Sequence, residues 1–173
     1  QMQKKKLLFT KKSLKDYRAA KLRMATRPLH FGKVIIMSTL KIKKLNEKAV
    51  IPQRATSGSA GMDLYAVLDE PLTLKPGETA LVPTGIAIAL ESANEAAFIF
   101  PRSGLAIKHG IGLLNSVGVI DSDYRGEIKV GVINQINKEY TIEPNERIAQ
   151  MVIMPVSLPQ IEEVTELDET ERG

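Results

Sequence analysis

The sequence of 173 residues contains no cysteine, no tryptophan and two histidines. The lack of cysteine excludes thiol catalysis, disulfide bonds and cysteine-ligated zinc. His30 and His109 are the only imidazole side chains, so we do not expect a metal site built from several histidines. The absence of cysteine is compatible with a reducing compartment but does not prove one.

Long apolar runs and several familiar catalytic motifs are also missing. No run approaches the ~20 residues of a membrane-spanning helix, so we expect no membrane span. The sequence lacks the G-x-x-x-x-G-K-[ST] phosphate loop, the G-x-G-x-x-G dinucleotide motif and the G-x-S-x-G nucleophile motif. If the chain is an enzyme, its chemistry must come from carboxylates, Arg, Lys, Ser, Tyr and backbone amides.

Charge is divided unevenly along the chain. Residues 1–36 contain 11 Lys and Arg and one acidic residue, whereas residues 37–173 contain 13 Lys and Arg and 19 acidic residues. We interpret residues 1–36 as a basic N-terminal extension, irregular or helical, that is disordered, targeting or non-native. We expect a cytoplasmic protein, or a nuclear or organellar one if the extension is a targeting segment. Nucleic-acid binding by the extension is an alternative that the weak specificity of basic tails does not favour.

From Leu40 onward, short apolar runs alternate with breaks that contain Pro, Gly, Asn or Asp. Among the runs are "LKIKKL", "TALVPTGIAIAL", "EIKVGVIN" and "RIAQMVIMPV". Many short strands at close spacing are typical of an all-β sandwich or barrel, and the brief segment "SGLAIKHG" is the one helix candidate. The sequence predicts an all-β domain over residues 37–160 with at most one short helix, followed by an acidic C-terminal arm, residues 161–173.

Two turns place small residues beside a charged side chain. In "SAGMDLYA", Asp63 follows Ser, Ala and Gly on a predicted strand, where it either caps a turn or serves a site. In "FPRSGLA", Arg102 offers a planar fork of donors, Ser103 a hydroxyl and Gly104 room for a close backbone approach. At the start of a short helix these groups would form an anion cradle. A simple turn with an exposed arginine explains the same residues.

A third stretch, "NSVGVIDSDYRGE", combines charge with an apolar run. Asp121 follows "VGVI" and could act as a general base toward water if it is ionised. Tyr124 offers a flat face for a sugar or a base, and Asn115 offers both a donor and an acceptor for an amide-like base edge. A polar hairpin turn explains Ser122 and Asp123 well, but it explains Asp121 together with Tyr124 less well.

A fourth stretch, "RIAQMVI", places one polar side chain within an apolar run. Gln150 needs hydrogen-bond partners if it is buried, so it either ties strands together or faces a site.

The four stretches in this order are more specific than any one of them. "AGMDLYA", "PRSGLA", "NSVGVIDSDYRGE" and "RIAQMVI" resemble the first four motifs of the trimeric dUTPases, and the resemblance covers about residues 38–173. The final letters, "TERG", match the beginning of the fifth motif of that family. We therefore expect the arm to be truncated before the glycine-rich part of this motif.

The resemblance implies a fold, an assembly and a reaction. The fold would be a distorted β-barrel of the jelly-roll type, assembled as a homotrimer with active sites at the subunit interfaces. The reaction would be the hydrolysis of dUTP to dUMP and pyrophosphate with Mg²⁺ as cofactor.

The resemblance also implies roles for individual residues. Asp121 matches the carboxylate that activates water, and Tyr124 matches the aromatic residue that packs on the deoxyribose and disfavours a 2′-hydroxyl. Asp63 matches an acid that acts indirectly, through structure or the water shell of the metal, and no residue is expected to bind the metal directly. The other positions that match substrate contacts are Arg102, Ser103, Gly104 and Gln150 for the phosphates, Asn115, Gly118, Val119 and Ile120 for uracil, Lys129, and Arg172 for the γ-phosphate.

Two other functions remain open at this point. A dCTP deaminase or a bifunctional deaminase shares the fold but needs a glutamate base near the pyrimidine, for which Glu127 is the nearest candidate. A nucleotide-binding relative with weak turnover is the second alternative.

Overall fold

The computed structural model describes residues 39–172, which lie within the compact unit Ser38–Gly173. The basic N-terminal extension, residues 1–36, lies outside the described residues, so its predicted character stays a prediction. Within the described part, short strands dominate and one short helix is present, as the sequence predicts. The elements are β1 (Lys41–Lys44), β2 (Met62–Tyr65), β3 (Leu72–Leu74), β4 (Thr79–Pro83), β5 (Ile86–Ala89), β6 (Glu95–Pro101), α1 (Ser103–His109), β7 (Ile111–Leu113), β8 (Gly118–Ile120), β9 (Lys129–Asn134), β10 (Tyr140–Ile142) and β11 (Arg147–Pro155).

The strands pair in antiparallel fashion into four small sheets. The largest has the order β2-β11-β6-β8, and the second has the order β4-β9-β7. Two further pairs, β1-β5 and β10-β3, complete the arrangement. In the largest sheet Gln150 on β11 lies opposite Asp63 on β2 and Phe100 on β6. This register brings three separate segments of the sequence to one end of the sheet.

The core follows from the alternation of apolar side chains along the strands. Along β9, buried residues alternate with less buried ones, and Val130 and Val132 point inward. Leu64, Ile148 and Met151, from β2 and β11, are fully buried against them in one cluster. Burying an aliphatic side chain of this size stabilises the fold by about 1.5–3 kcal/mol. The core therefore fixes the strands that carry the polar residues described below.

One glycine divides the apolar run "TALVPTGIAIAL" at its break "PTG". Gly85 has a φ of 66°, in the left-handed region, and a Cβ atom there would lie 2.8 Å from the Cβ of Ala49. The chain turns at this point, so that β4 pairs with β9 while β5 pairs with β1. The run "TALVPTGIAIAL" is therefore two strands in different sheets.

The helix α1 is short and has a defined end. It begins after the extended residue Arg102 and ends at Gly110, whose φ of 66° allows its N–H to reach the carbonyls of Leu105 and Ala106. Leu105 is the buried residue that anchors the helix to the core. No helix within residues 39–172 is long and apolar enough to cross a membrane.

The chain forms no strand or helix after β11, up to residue 172. This C-terminal segment carries exposed apolar side chains at every third residue, which are Leu158, Ile161, Val164 and Leu167. The acidic composition of residues 161–173 does not reveal this apolar row. The predicted boundary between domain and arm at residues 160 and 161 stays a prediction.

Candidate active site

A polar pocket lies where β2, β11 and the start of α1 meet. It has a volume of about 280 Å³. We call it the Arg102 pocket, and its lining residues are Ala55, Ser59, Gly61, Asp63, Arg102, Ser103, Gly104 and Gln150. Five of these eight were predicted as site residues from the sequence, and the fold brings them together.

The Asp63 carboxylate is held between two arginines in this pocket. Arg102 donates from Nε to Oδ1 at 2.9 Å, and Arg147 donates from Nη1 to Oδ2 at 3.2 Å. The Arg102 guanidinium also donates from Nη1 to the backbone carbonyl of Arg147 at 3.2 Å. The Asp63 side chain is only 14% exposed, which strengthens both ion pairs. Two guanidinium groups against one carboxylate leave a net positive charge beside the pocket.

Sequence reasoning did not assign Arg147 to the site. The residue belongs to the same stretch as Gln150, but its partner Asp63 lies 84 residues earlier in the chain. An arginine at the start of a core strand, followed by apolar residues, was the one available signal.

Gln150 combines the two roles that the sequence left open. Its Nε2 donates to the backbone carbonyl of Pro101 at 3.0 Å, at the end of β6, and its side chain also lines the Arg102 pocket. Gly61 leaves room for it, because a Cβ atom there would lie 2.4 Å from the Oε1 of Gln150. Gln150 thus fixes the point where β6 ends and the Ser103–Gly104 turn begins.

The start of α1 offers open donors to a ligand. Ser103 and Gly104 are exposed, and a Cβ atom added to Gly104 would meet no other atom within 4 Å. The first amides of a helix have no acceptor within the helix, so they can bind an anion together with the Ser103 hydroxyl. The pocket is therefore chemically suited to phosphate groups.

A second, narrower pocket of about 100 Å³ lies beside β8. We call it the hairpin pocket, and its lining residues are Ile99, Leu113, Asn115, Gly118, Val119, Ile120, Lys129, Val130 and Gly131. All five of the predicted residues Asn115, Gly118, Val119, Ile120 and Lys129 are among them.

The backbone shapes the hairpin pocket. Ser116 has a φ of 63°, and the amide of Val117 donates to the carbonyl of Asn115 at 2.6 Å, which makes a tight turn before β8. Within residues 39–172, β8 pairs with β6 on one side, so its other edge presents backbone donors and acceptors. A narrow slot beside such an edge suits a planar ring that carries amide-like groups.

Asp121 and Tyr124 lie in the turn that directly follows β8. Asp121 is exposed, and its backbone carbonyl accepts a hydrogen bond from the amide of Tyr124 at 3.1 Å. Arg125, to which the sequence gave no role, donates from Nη1 to the carbonyls of Ser122 at 2.7 Å and Tyr124 at 2.8 Å. The turn is thus held by its own side chains and backbone, and we call it the Asp121 turn (residues 121–127).

Glu127, the candidate base of a deaminase, has structural partners. Its Oε1 accepts a hydrogen bond from the amide of Gly85 at 2.9 Å, and its Oε2 lies 3.6 Å from the Nζ of Lys129. The carboxylate therefore ties the end of the Asp121 turn to the β4–β5 turn. This engagement does not favour a role in deamination.

The predicted site residues fall into separate places on one chain. The Arg102 pocket and the hairpin pocket share no lining residue. Arg172 lies in the exposed C-terminal segment, where its amide donates to the Oγ1 of Thr170 at 3.3 Å, and it lines neither of these pockets. Within residues 39–172, no group of three or more His, Cys, Asp or Glu side chains could hold a metal ion.

The protein-family model for dUTPase matches residues 47–173 of this chain. The chain belongs to the dUTPase family. This match confirms the dUTPase family that the sequence motifs predict.

Curated dUTPase relatives are similar over most of their length. The deoxyuridine 5′-triphosphate nucleotidohydrolase of Idiomarina loihiensis is 55% identical over 130 residues, which cover 75% of this chain and 86% of the relative. The protein of the same name from Burkholderia multivorans is 54% identical over 134 residues, which cover 78% of this chain and 90% of the relative.

Solved dUTPase structures share the fold. The Staphylococcus bacteriophage 80alpha dUTPase with dUpNHpp is 28% identical, with a TM-score of 0.70, and the match covers 78% of this chain and 94% of the phage chain. A dUTPase variant from phage phi11 of S. aureus, in a structure that describes a structural Mg(II) ion, has a TM-score of 0.67 at 24% identity, over 76% of this chain and 99% of the phage chain. These similarities confirm the predicted all-β jelly-roll fold.

Proposed function

We propose that this chain is a dUTP diphosphatase, which hydrolyses dUTP to dUMP and pyrophosphate. The observation that carries the proposal is the close spacing of three groups along β8 and the turn after it. The strand lines a slot for a planar base, and Asp121 and Tyr124 follow within a few residues. The base, the sugar and the α-phosphate of a nucleotide also lie close to one another. The curated relatives at 55% and 54% identity support the same reaction.

The hairpin pocket recognises the base in this proposal. The backbone of Gly118–Ile120 and the Asn115 amide pair with the edge of uracil, and the small volume excludes larger rings. Cytosine presents a donor where uracil presents an acceptor at position 4, so the same backbone edge would leave a polar group unpaired. Tyr124 packs on the deoxyribose next to the base.

Asp121 activates the attacking water. Its carboxylate takes a proton from water as the water oxygen forms a bond to the α-phosphorus, and the bond from that phosphorus to the bridging oxygen of the β-phosphate breaks. Pyrophosphate leaves with the electron pair of the broken bond. Arg102, the start of α1 and Arg172 neutralise the charge on the phosphate oxygens. Lys129 contacts the substrate from the rim of the hairpin pocket.

We propose that a magnesium ion enters with the nucleotide and is not held directly by the one carboxylate of the Arg102 pocket, Asp63. Both carboxylate oxygens of Asp63 already accept hydrogen bonds from arginine, so this residue acts on the ion indirectly, through the water shell or through Arg102. When bound, Mg²⁺ would supply positive charge that offsets the charge of the phosphates, which suits an ion that prefers oxygen ligands and retains waters.

A homotrimer would unite the separate parts of the site. The Arg102 pocket and the hairpin pocket share no lining residue, and Arg172 lines neither of them. Val119, which lines the hairpin pocket, and Leu114 and Val117, which are next in sequence to lining residues, are exposed apolar side chains. Such side chains are typical of a surface that another subunit covers. We propose that each active site forms where subunits meet. Cytoplasmic location stays a prediction.

The direct test is a panel of dUTP, dCTP, dTTP and UTP with MgCl₂, in which pyrophosphate and ammonia are measured together. We expect pyrophosphate from dUTP far above the other nucleotides, no ammonia from dCTP, and loss of turnover with EDTA that MgCl₂ restores. Ammonia release from dCTP with dUTP left intact would replace the proposal by a deaminase. Binding of dUTP without pyrophosphate release would leave a nucleotide-binding relative.

A further inference from the structure

Gly126 lies where the Tyr124 side chain needs space. A Cβ atom at Gly126 would lie 2.4 Å from the Oη of Tyr124, 2.6 Å from its Cζ and 3.2 Å from its Cε2. The Tyr124 hydroxyl reaches past Gly126 and donates to the backbone carbonyl of Glu127 at 3.1 Å. The Tyr124 ring therefore lies over Gly126, and the hydrogen bond to Glu127 holds it there.

The requirement at this residue is space and not backbone conformation. Within residues 39–172, the glycines with positive φ are Gly77, Gly85 and Gly110, and Gly126 is not among them. The φ of Gly126 is therefore outside the region that disfavours alanine, but the methyl group of alanine would occupy the place of the Tyr124 ring.

A methyl group at Gly126 would move the Tyr124 ring more easily than the backbone of the Asp121 turn. Tyr124 is 44% exposed, so its ring has solvent to move into. The backbone of the turn is held independently by the amide of Tyr124 on the carbonyl of Asp121 and by the Arg125 guanidinium on two carbonyls. A methyl group at Gly126 should therefore displace one side chain and leave the Asp121 turn in place.

We propose that Gly126 is a positioning residue that sets the selectivity of this enzyme for deoxyribose over ribose, through the orientation of Tyr124. The inference rests on the proposed function, in which Tyr124 packs on the deoxyribose. A Tyr124 ring that is held over Gly126 by its hydrogen bond fixes one side of the space for the sugar. A 2′-hydroxyl would collide with this ring or lose its hydration. A displaced ring leaves room for the hydroxyl.

The experiment compares kcat/KM for dUTP and for UTP in the full-length parent, Gly126→Ala and Gly58→Ala. Gly58 is the matched control, because a Cβ atom there would meet nothing within 4 Å. We expect Gly126→Ala to lower the dUTP-to-UTP ratio of kcat/KM by about tenfold, within the range that one misplaced group produces. Gly58→Ala should keep the ratio and the melting temperature of the parent.

A double-mutant cycle separates the action through Tyr124 from a general effect on the turn. In a Tyr124→Ala background, adding Gly126→Ala should change the ratio by less than about twofold, because the group that the methyl displaces is gone. An equal drop in both backgrounds would overturn the proposal, as would an unchanged ratio in Gly126→Ala.

Folding offers a second measure. If Gly126→Ala fails to fold, Tyr124→Ala with Gly126→Ala should fold, because the collision is removed. Failure of both variants would mean that the glycine serves the backbone, and the proposal would be wrong. A parent that releases no pyrophosphate from dUTP contradicts the proposed function, which is a separate outcome.

Discussion

Asp63 and Asp121 are acidic residues of two predicted motifs, yet the structure surrounds them differently. Asp63 is largely buried, and each of its carboxylate oxygens accepts a hydrogen bond from an arginine. Asp121 is exposed at the end of β8, where water can reach its carboxylate. At the scale of single residues, this difference separates an acid that orients arginines from an acid that can take a proton from water.

We predict that Asp121→Asn binds dUTP but loses turnover by at least about 100-fold, since an amide cannot accept the proton from water. The matched control is Asp123→Asn in the same turn. Turn chemistry alone explains Asp123, so this variant should keep the parental kcat. Steady-state pyrophosphate release and equilibrium binding of dUTP measure both quantities. Turnover of Asp121→Asn at the parental rate would mean that another group is the base.

Arg147 lies beside the Arg102 pocket without being one of its lining residues. We predict that Arg147→Gln raises the KM for dUTP about five- to tenfold while kcat changes by less than about twofold, because Asp63 would then offset the whole charge of Arg102. Arg147→Lys keeps the charge and should retain most of the affinity. The side chain of Arg147 is 49% exposed, so the difference should shrink as NaCl is raised.

A second substitution, at Asp63, should compensate for the loss of Arg147. Asp63→Asn should recover much of the affinity that Arg147→Gln loses, since it removes the charge that competes with phosphate. A KM for Arg147→Gln that matches the parent at low salt would contradict the charge argument.

At the scale of elements, one hydrogen-bonded tyrosine joins β10 to the turn before β11. Tyr140 donates to the Oε1 of Glu146 at 2.5 Å, and the Oε2 of Glu146 accepts from the amide of Glu143 at 2.9 Å. Burial, and then the hydrogen bond and negative charge of Glu146, raise the pKa of Tyr140 above its ordinary value. The folded chain therefore holds the phenol proton more tightly than the unfolded chain does.

This difference predicts a pH dependence of stability. Because the pKa of Tyr140 is raised by folding, its stabilisation is complete below ~pH 10, the pKa of a free tyrosine, and is lost as the pH rises above that value. Tyr140→Phe should be less stable than the parent by about 1 kcal/mol at pH 7, and the gap should narrow above pH 10. Urea unfolding of the parent and of Tyr140→Phe at pH 7, 9 and 10.5 measures the difference in their free energies of unfolding. A difference that is the same at all three pH values would contradict the raised pKa of Tyr140.

The sequence predicts the features that depend on residues close together in the chain. It does not predict those that depend on contacts between distant residues. The alternation along β9 and the apolar run of β11 are local features, so these strands could be predicted, as could the turn residues of the motifs. The break "PTG" at Gly85 could be noted in the sequence, but the pairing of β4 with β9 and of β5 with β1 could not. The Arg147–Asp63 pair spans 84 residues, so it could not be predicted either. The motif residues were found as a set because the four motifs together resemble those of one family. Their grouping into two pockets depends on the strand pairing, which the sequence does not show.

At the scale of the whole molecule, the groups of the proposed site are divided between two pockets. The Arg102 pocket and the hairpin pocket have no lining residue in common, although a nucleotide must contact both kinds of group at once. Exposed apolar side chains at Leu114 and Val119 beside the hairpin pocket, and those in the C-terminal segment, offer surfaces to other subunits. A homotrimer in which one subunit supplies the hairpin pocket and another the Arg102 pocket satisfies both observations.

This assembly predicts that two inactive variants complement each other. Asp121→Asn removes the base from the half-site that includes the hairpin pocket, and Arg102→Gln removes a phosphate donor from the other half. We expect each variant alone to be nearly inactive, whereas mixed trimers, co-expressed with different affinity tags and purified through both, should recover activity. Every trimer that contains both variants has one site in three that unites two intact halves, so the recovered kcat per site should approach about one third of the parental value. If both halves of each site came from the same subunit, every site would carry one lesion, and mixed trimers would be as inactive as the separate variants.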